Sequence, residues 1–469
     1  MKKKNFLPPL ALLLAVLWSG CPFAGPGKAL AQAPDKVLAA GTDSSQAGSE
    51  ERAAATLVRP GETLTLTRVV EIARSRQPEI LAARAEVQAG ASRVGLARAG
   101  YYPQVDGLAG YSRISPAAGS LSTAGMGNGS FDYYSAEITA SQMLFDFGRT
   151  KTRVEISKSG LDSSRADLAD VEEQVVFAAT LAYYDLLKTM RNREVAAERV
   201  RQFAQHLEQA QGFFQAGIKP RYDVTRAEVD LSNARLDLTR AENSRELARV
   251  ALNNAMGLSE APPYEVEDDL GLRLFELPLE SALAKAEEGR ADLKALLLKK
   301  RLAAQELLLA GKGSRPTLAG NAGAGYSGEN FPLDEGWNVG VALSFPIFNG
   351  HQTRYRVEEA RAGLNRLTAN ENSLRLAIGR EVRQSYLMLQ EAAERVRASE
   401  LILRQAEENH ELATGRYRAG VGNPVELADA DAILVNARTG HIQALYDHRL
   451  SVAAMERATG WLMGQGSAD

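Results

Sequence analysis

The residues able to bind or react are scattered along the chain, and their spacing decides what they can do. The five histidines, His206, His351, His410, His441 and His448, follow no metal-ligand spacing such as His-Glu-x-x-His. Neither a Gly-x-Ser-x-Gly nucleophile turn nor a Gly-x-x-x-x-Gly-Lys-Ser/Thr phosphate loop occurs. No enzyme, metal or cofactor is therefore expected. Carboxylates are abundant, but they fall on helical faces, where charge keeps a helix soluble. One pair has a definite placement: Glu426 and Asp429 stand three residues apart just after Gly420-Val421-Gly422-Asn423-Pro424, so both lie on one side of a helix near its start. Acids at that place answer the positive end of the helix dipole. The equivalent positions of an earlier, related stretch hold Asp223 and Arg226.

Cys21, the one cysteine, lies in an N-terminal segment that reads as an export signal (1–31). Lys2 to Lys4 give a positive start, Phe6 to Trp18 an apolar run, and Ala29-Leu30-Ala31 a small-residue cleavage site. A second processing route is open: Ser19-Gly20-Cys21 is a lipoprotein box in outline, with Cys21 as the acylated residue. Cleavage after Ala31 leaves a mature chain without cysteine, and so without disulfide or thiol chemistry.

The elements that position these residues are written twice. Gly212 to Gly257 aligns with Gly415 to Gly460 without a gap at an offset of 203, with identities such as Ala216/Ala419, Gly217/Gly420, Leu231/Leu434, Asn233/Asn436 and Arg235/Arg438. Gapless register over that length indicates a duplicated helical hairpin. Net charge is −3, the pI is about 6.1 and no basic face is concentrated anywhere, so no nucleic-acid partner is expected. Aromatic residues at 6% and charged residues at 24% suit long solvated helices better than a thick core.

In chain order, 32–62 reads as a flexible leader rich in Ala, Ser, Gly and acids. A first repeat (63–258) opens with helical periodicity, broken before Pro78, which disfavours helix at Gln77. Period two then marks strands over about 102–113 and 131–146. Val105, Gly107, Ala109 and Tyr111 share one face of the first, and Tyr134, Ala136, Ile138, Ala140 and Leu144 one face of the second. A helix from about Thr150 to Gln215 leads to a Gly turn near 217 and a returning helix. A link (259–276) with Pro262-Pro263 and an acidic run joins the halves, and a second repeat (277–461) replays the order, with strands at about 315–327 and 336–348, a turn near 421 and a tail at 462–469. Trp337, Val339, Val341, Leu343 and Phe345 fall on one face of the last strand.

Strands with one apolar face sit between helices too charged for lipid, and no stretch after the signal is a transmembrane helix. A membrane barrel buries the apolar face and leaves the other face to a wet lumen. Trp337 and Phe345, eight residues apart, span about 27 Å of strand, which suits aromatic belts at the two membrane interfaces, with Tyr134 as a further belt residue. Four strands cannot enclose a lumen, since about eight are needed merely to fill one with side chains, so the chain must oligomerise.

From Leu64 to Gly460 the sequence resembles the outer membrane efflux protein family, the TolC-like channels. The resemblance is carried by the doubled layout, the Pro346-Ile347-Phe348-Asn349-Gly350 strand exit, and the Gln215-Ala216-Gly217-Ile218 and Tyr417-Arg418-Ala419-Gly420-Val421 turns. It implies a mainly α fold with a transmembrane β-barrel portion: a homotrimer whose four strands per chain make twelve, continued by a periplasmic α-helical tunnel. It further implies outer membrane lipid around the barrel, docking to a periplasmic adaptor (membrane fusion) protein through tips at Gly217, Ile218, Gly420 and Val421, and an inner membrane pump. Glu426 and Asp429 match acids that ring the periplasmic aperture in the family, and Tyr417 matches a gating tyrosine. A basic residue that often precedes those acids corresponds to Gly422 here, which puts the closed-state lock in question. The function expected is a passive exit duct of a tripartite efflux or type I secretion system, with small-molecule efflux ranked first. The alternative is a periplasmic coiled-coil structural or adaptor protein that never inserts, and a detergent requirement separates the two.

Overall fold

A computed structural model of the chain describes residues 58–115, 130–272, 277–419 and 421–460. The signal segment with Cys21, the leader up to residue 57, Gly420 and the tail at 462–469 lie outside the described residues. Strand β1 (Thr63–Leu64) is followed by helices α1 (Leu66–Arg76) and α2 (Pro78–Ala99), strands β2 (Gln104–Ile114) and β3 (Phe131–Phe145), the long helix α3 (Arg149–Gln215) and its return α4 (Arg221–Ala255). After β4 (Glu265–Val266) come α5 (Leu279–Gly289), α6 (Ala291–Gly311), β5 (Thr317–Gly328), β6 (Asp334–Ser344), α7 (Gln352–Arg418) and α8 (Pro424–Ala458). The duplication is kept to the residue: α3 and α7 each hold 67 residues, and α4 and α8 each hold 35. At 1.5 Å per residue, each long helix runs about 100 Å.

The leader gives way to packed chain earlier than the expected boundary at 62. Val58 is fully buried in the main core, the Gly61 amide donates to the Pro263 carbonyl at 2.8 Å, and β1 pairs in parallel with β4 inside the link between the repeats. An apolar Val58 followed by a parallel pair anchors a segment whose composition alone reads as unstructured.

The breaks between short helices have two causes. Gln77 leaves helical geometry (φ −57°, ψ 122°) because the Pro78 ring crowds it. Arg290 adopts nearly the same angles (φ −60°, ψ 127°) with no proline after it. Its guanidinium is held by Asp292 at 2.8 Å and Glu381 at 2.7 Å, so an ion-pair network fixes in the second repeat what a ring fixes in the first.

In the middle of α7 the buried positions are Ile378, Val382, Ser385, Leu389, Ala392 and Val396, a 4-3-4-3-4 spacing that is the seam of a coiled coil, with Ala406, Ala413 and Tyr417 buried further on. Its partners include α8, while much of its remaining surface is exposed in the single chain. The largest core gathers α1, the middle of α3, the end of α4, the link and part of α8 around Tyr183, Leu187, Leu252 and Met256. There the Tyr183 hydroxyl donates to the Glu267 carbonyl at 2.7 Å. The shared terminal glycine of each hairpin also finds its reason here. A Cβ on Gly257 would lie 2.9 Å from the Arg76 carbonyl carbon, and one on Gly460 would lie 2.9 Å from the Arg290 amide nitrogen, so each return helix ends against the break between two short helices. Both glycines have positive φ, 74° and 70°.

Gly257→Ala is expected to destabilise the fold by about 1–3 kcal/mol, because the new methyl meets backbone rather than a movable side chain and the left-handed angle adds strain. The shift in denaturant midpoint measures it, and a midpoint equal to the parent's would show that the chain parts at no cost.

Candidate functional site

Strands β2, β3, β5 and β6 form one antiparallel sheet in that order. Their register puts Gly107, Ile138, Ala324 and Trp337 in one row and Val105, Ala140, Ala322 and Val339 in the next, so the apolar faces read from the sequence for β2, β3 and β6 fall on one side of the sheet, joined there by Ala322 and Ala324 of β5. Rows of the opposite face carry Asp106, Thr139, Gly323 and Asn338, then Gln104, Ser141, Asn321 and Gly340. Ile138, Trp337, Val339, Val341 and Leu343 are all exposed in the single chain. At one end of the apolar face Tyr134 stacks between Tyr111 and Phe331, each with ring centroids 5.2 Å away. At the other end Phe145 meets Phe147 edge-on at 4.7 Å, and Phe345 stands exposed one residue past β6. The register of β3 slips by one between Met143 and Phe145, which puts Phe145 opposite Leu318.

The far ends of the long helices carry the turns. At the first tip, Ile218 donates to the Phe213 carbonyl at 2.9 Å and Gly217 to the Phe214 carbonyl at 3.0 Å, with Gly217 left-handed at φ 73°. This pair of bonds is a Schellman motif, which the Ala-Gly-Ile sequence encodes. At the second tip Val421 and Gly422 both donate to the Arg416 carbonyl, at 3.1 and 2.9 Å, and the Asn423 side chain caps α8 by accepting from Val425. Ile218 and Val421 are 68% and 73% exposed, apolar residues turned outward at both tips.

Tyr417 behaves differently from the exposed tip residues. It is buried against Phe213 of α3, with ring centroids 6.2 Å apart, and the Lys219 ammonium lies 4.5 Å from its ring centre. Burial and the nearby Asp223 carboxylate push its hydroxyl above the usual value. Tyr417 thus joins the second hairpin to the tip of the first. Glu426 and Asp429 are both exposed, while Leu427 and Ala430, each the next residue along, pack inward.

Two features of the tip escaped sequence reasoning. Glu426 has a basic partner after all, Arg416, whose Nε lies 3.2 Å from Oε1. Position 422 could not supply one, because a Cβ there would lie 2.7 Å from the Tyr417 amide nitrogen. The second feature is Asp431, 2% exposed, within 2.9 Å of His410 and 3.5 Å of His206. These histidines show no ligand spacing because they come from different hairpins. The available signal was Asp431 itself, a carboxylate set in the apolar stripe of Leu427, Ala430, Leu434 and Ala437. Among the described residues no cluster of His, Cys, Asp and Glu could hold a metal ion.

The model of the outer membrane efflux protein family matches residues 69–258 and 282–461, one block for each repeat. The chain belongs to the outer membrane efflux protein family. It is 26% identical to protein CyaE of Bordetella pertussis over 415 residues, covering 87% of this chain and 86% of that one. It is 23% identical to the outer membrane protein TolC of Vibrio cholerae, covering 86% and 92%. The solved CmeC outer membrane channel of Campylobacter jejuni superposes with a TM-score of 0.76 at 19% identity, over 84% of this chain and 85% of that one, which establishes a shared fold. This member of the family is therefore an outer membrane protein with TolC-like architecture, of a class of channels rather than enzymes, and the non-inserted coiled-coil alternative finds no support among its relatives.

Gly422→Arg places a basic residue just before Glu426 but forces backbone apart at Tyr417. We expect amide exchange across residues 413–430 to quicken by about tenfold, equivalent to about 1.4 kcal/mol of local opening. Protection equal to the parent's would mean that the tip accepts a side chain there.

Proposed function

We propose that three copies of this chain form a passive exit duct through the outer membrane, gated at the helical tips by Glu426 and Asp429. The observation that carries the reading is the open sheet: β2 and β6 each have a neighbour on one side only, and one face is apolar across its central rows, with Gln142 and Glu335 toward its two ends. Unpaired strand edges do not survive in hydrocarbon, where no water satisfies their N–H and C=O groups. Joining β6 of one copy to β2 of the next removes every edge. Two copies would supply about the eight strands that side chains fill, whereas three copies of the four-stranded sheet give twelve strands and room for water. Asp106, Thr139 and Asn338 then face the lumen, and Trp337, Val339 and Val341 face lipid.

The helices continue this lumen, and the exposed side of α8 that carries Glu426 and Asp429 supplies the narrowest ring. Three copies bring six carboxylates about one axis, a field that favours cations and resists passage of anions. The Arg416 pair at Glu426 is exposed on both sides and worth at most about 1 kcal/mol, so a docked partner can displace it. Ile218 and Val421, with Gly217 in the first turn, offer the apolar contacts for a periplasmic adaptor. An inner membrane pump supplies the energy and selects the cargo, with small molecules ahead of proteins.

Single-channel recording of the purified protein in a planar bilayer tests this. We expect small, cation-selective steps that grow at least twofold in Glu426→Ala plus Asp429→Ala; conductance and selectivity unmoved by the pair would remove these acids from the aperture. The sheet makes a separate demand. Val339→Arg on the lipid side should cost about 2–4 kcal/mol near the bilayer centre, while Asn338→Arg on the lumen side should be tolerated and alter conductance. Equal costs for the two would contradict the assignment of faces.

A further inference from the structure

We propose that Asp431, His206 and His410 form a proton-sensitive latch that holds the two hairpins together above the tips and lets the aperture widen in mild acid. The proposal rests on the reading of Glu426 and Asp429 as the aperture and adds a means of regulating it.

The geometry comes first. Asp431 is on α8, His410 on α7 and His206 on α3, so the cluster ties the second hairpin to the first. Asp431 Oδ1 lies 2.9 Å from His410 Nε2, and Oδ2 lies 3.5 Å from His206 Nδ1. Neither carboxylate oxygen accepts a well-aligned hydrogen bond, so the balance at the site is set by how many protons the three groups hold. A buried carboxylate in that position is costly without positive neighbours. Those facing the cluster are Arg199 of α3 and Arg418 of α7, with Asp230 of α4 on the acidic side. Arg199 is itself shared with Asp237 at 2.8 Å. Asp223 and Arg226 of α4 line the same cleft. Glu426 and Asp429 precede Asp431 on its own helix, so a movement of α8 carries them with it.

Acid changes this balance. One carboxylate can answer one imidazolium, and a second proton leaves excess positive charge in a buried place already faced by two guanidinium groups. Opening the site to water relieves that charge. Burial holds His206 below the ordinary imidazole value, so the packed form binds fewer protons at His206 than the parted form does. Its contribution to packing is therefore complete above about pH 6.5 and falls as the pH drops below that. Burial pushes Asp431 upward, which works in the opposite sense and confines the loosening to the window above the titration of the carboxylate.

The test uses the full-length protein, with His206→Gln plus His410→Gln as the variant. Conductance in bilayers and amide exchange at the tips, corrected for its intrinsic pH dependence, are compared at pH 7.5 and 5.8. The parent should gain at least twofold in conductance and about tenfold in tip exchange at the lower pH, and the double variant should change in neither. A parent flat in both readouts overturns the latch. An acid response that survives in the variant also overturns it and assigns the response to other buried histidines such as His448. A protein that conducts at no pH sinks the duct reading instead, and the exchange profile then decides the latch alone.

Discussion

An antiparallel sheet with an apolar face and two open edges cannot be stable by itself, either in water or in lipid. In water the row of Ile138, Ala324 and Trp337 is left without cover, and in lipid the edge amides and carbonyls are left without partners. The rest of the chain is arranged around this constraint. The sheet is placed at one end, both repeats deliver two strands to it with matched register, and the helices that follow are long enough to carry the tips about 100 Å away.

Cohesion is distributed unevenly as a result. The main core lies around Tyr183, Leu252 and Met256, where short helices, link and return helix meet. Further along the hairpins it thins to small clusters, such as Phe203 with Leu231 and Ala234, or Ala406 with Leu434 and Ala437. Ion pairs there include surface pairs within one helix, such as Arg201 with Glu198 and Arg397 with Glu394, and each of these contributes a few tenths of a kcal/mol. A firm middle with loosely seamed ends lets a hairpin pivot near its tip without unmaking the fold.

At the tips the two hairpins are joined by a few specific contacts. Phe213 and Tyr417 meet as rings, Lys219 covers both, and Asp431 draws His206 and His410 together. The Phe213–Tyr417 pair, Lys219 over Tyr417 and His206 beside Asp431 cross from one hairpin to the other, so these three oppose the same movement. Glu426 and Asp429 stand exposed on the same helix as Asp431.

Much of this was legible in the sequence. The offset of 203, the Gly turns and the change from period 3.6 to period two gave the repeats, the hairpins and the strands to within a few residues, because local backbone preference and one-sided burial leave a direct trace in residue order. The faces of β2, β3 and β6 were legible too, whereas the pairing that brings them and β5 into shared rows came from the structure, where a slip of one residue would turn every side chain over. What tertiary structure alone decided lies in contacts between distant segments. The parallel pair of Leu64 with Val266, the Arg290 network that stands in for a proline, and the Arg416 partner of Glu426 have no signature in spacing. Nor does the meeting of His206, His410 and Asp431, because two histidines about two hundred residues apart become neighbours only when two separately encoded hairpins pack side by side.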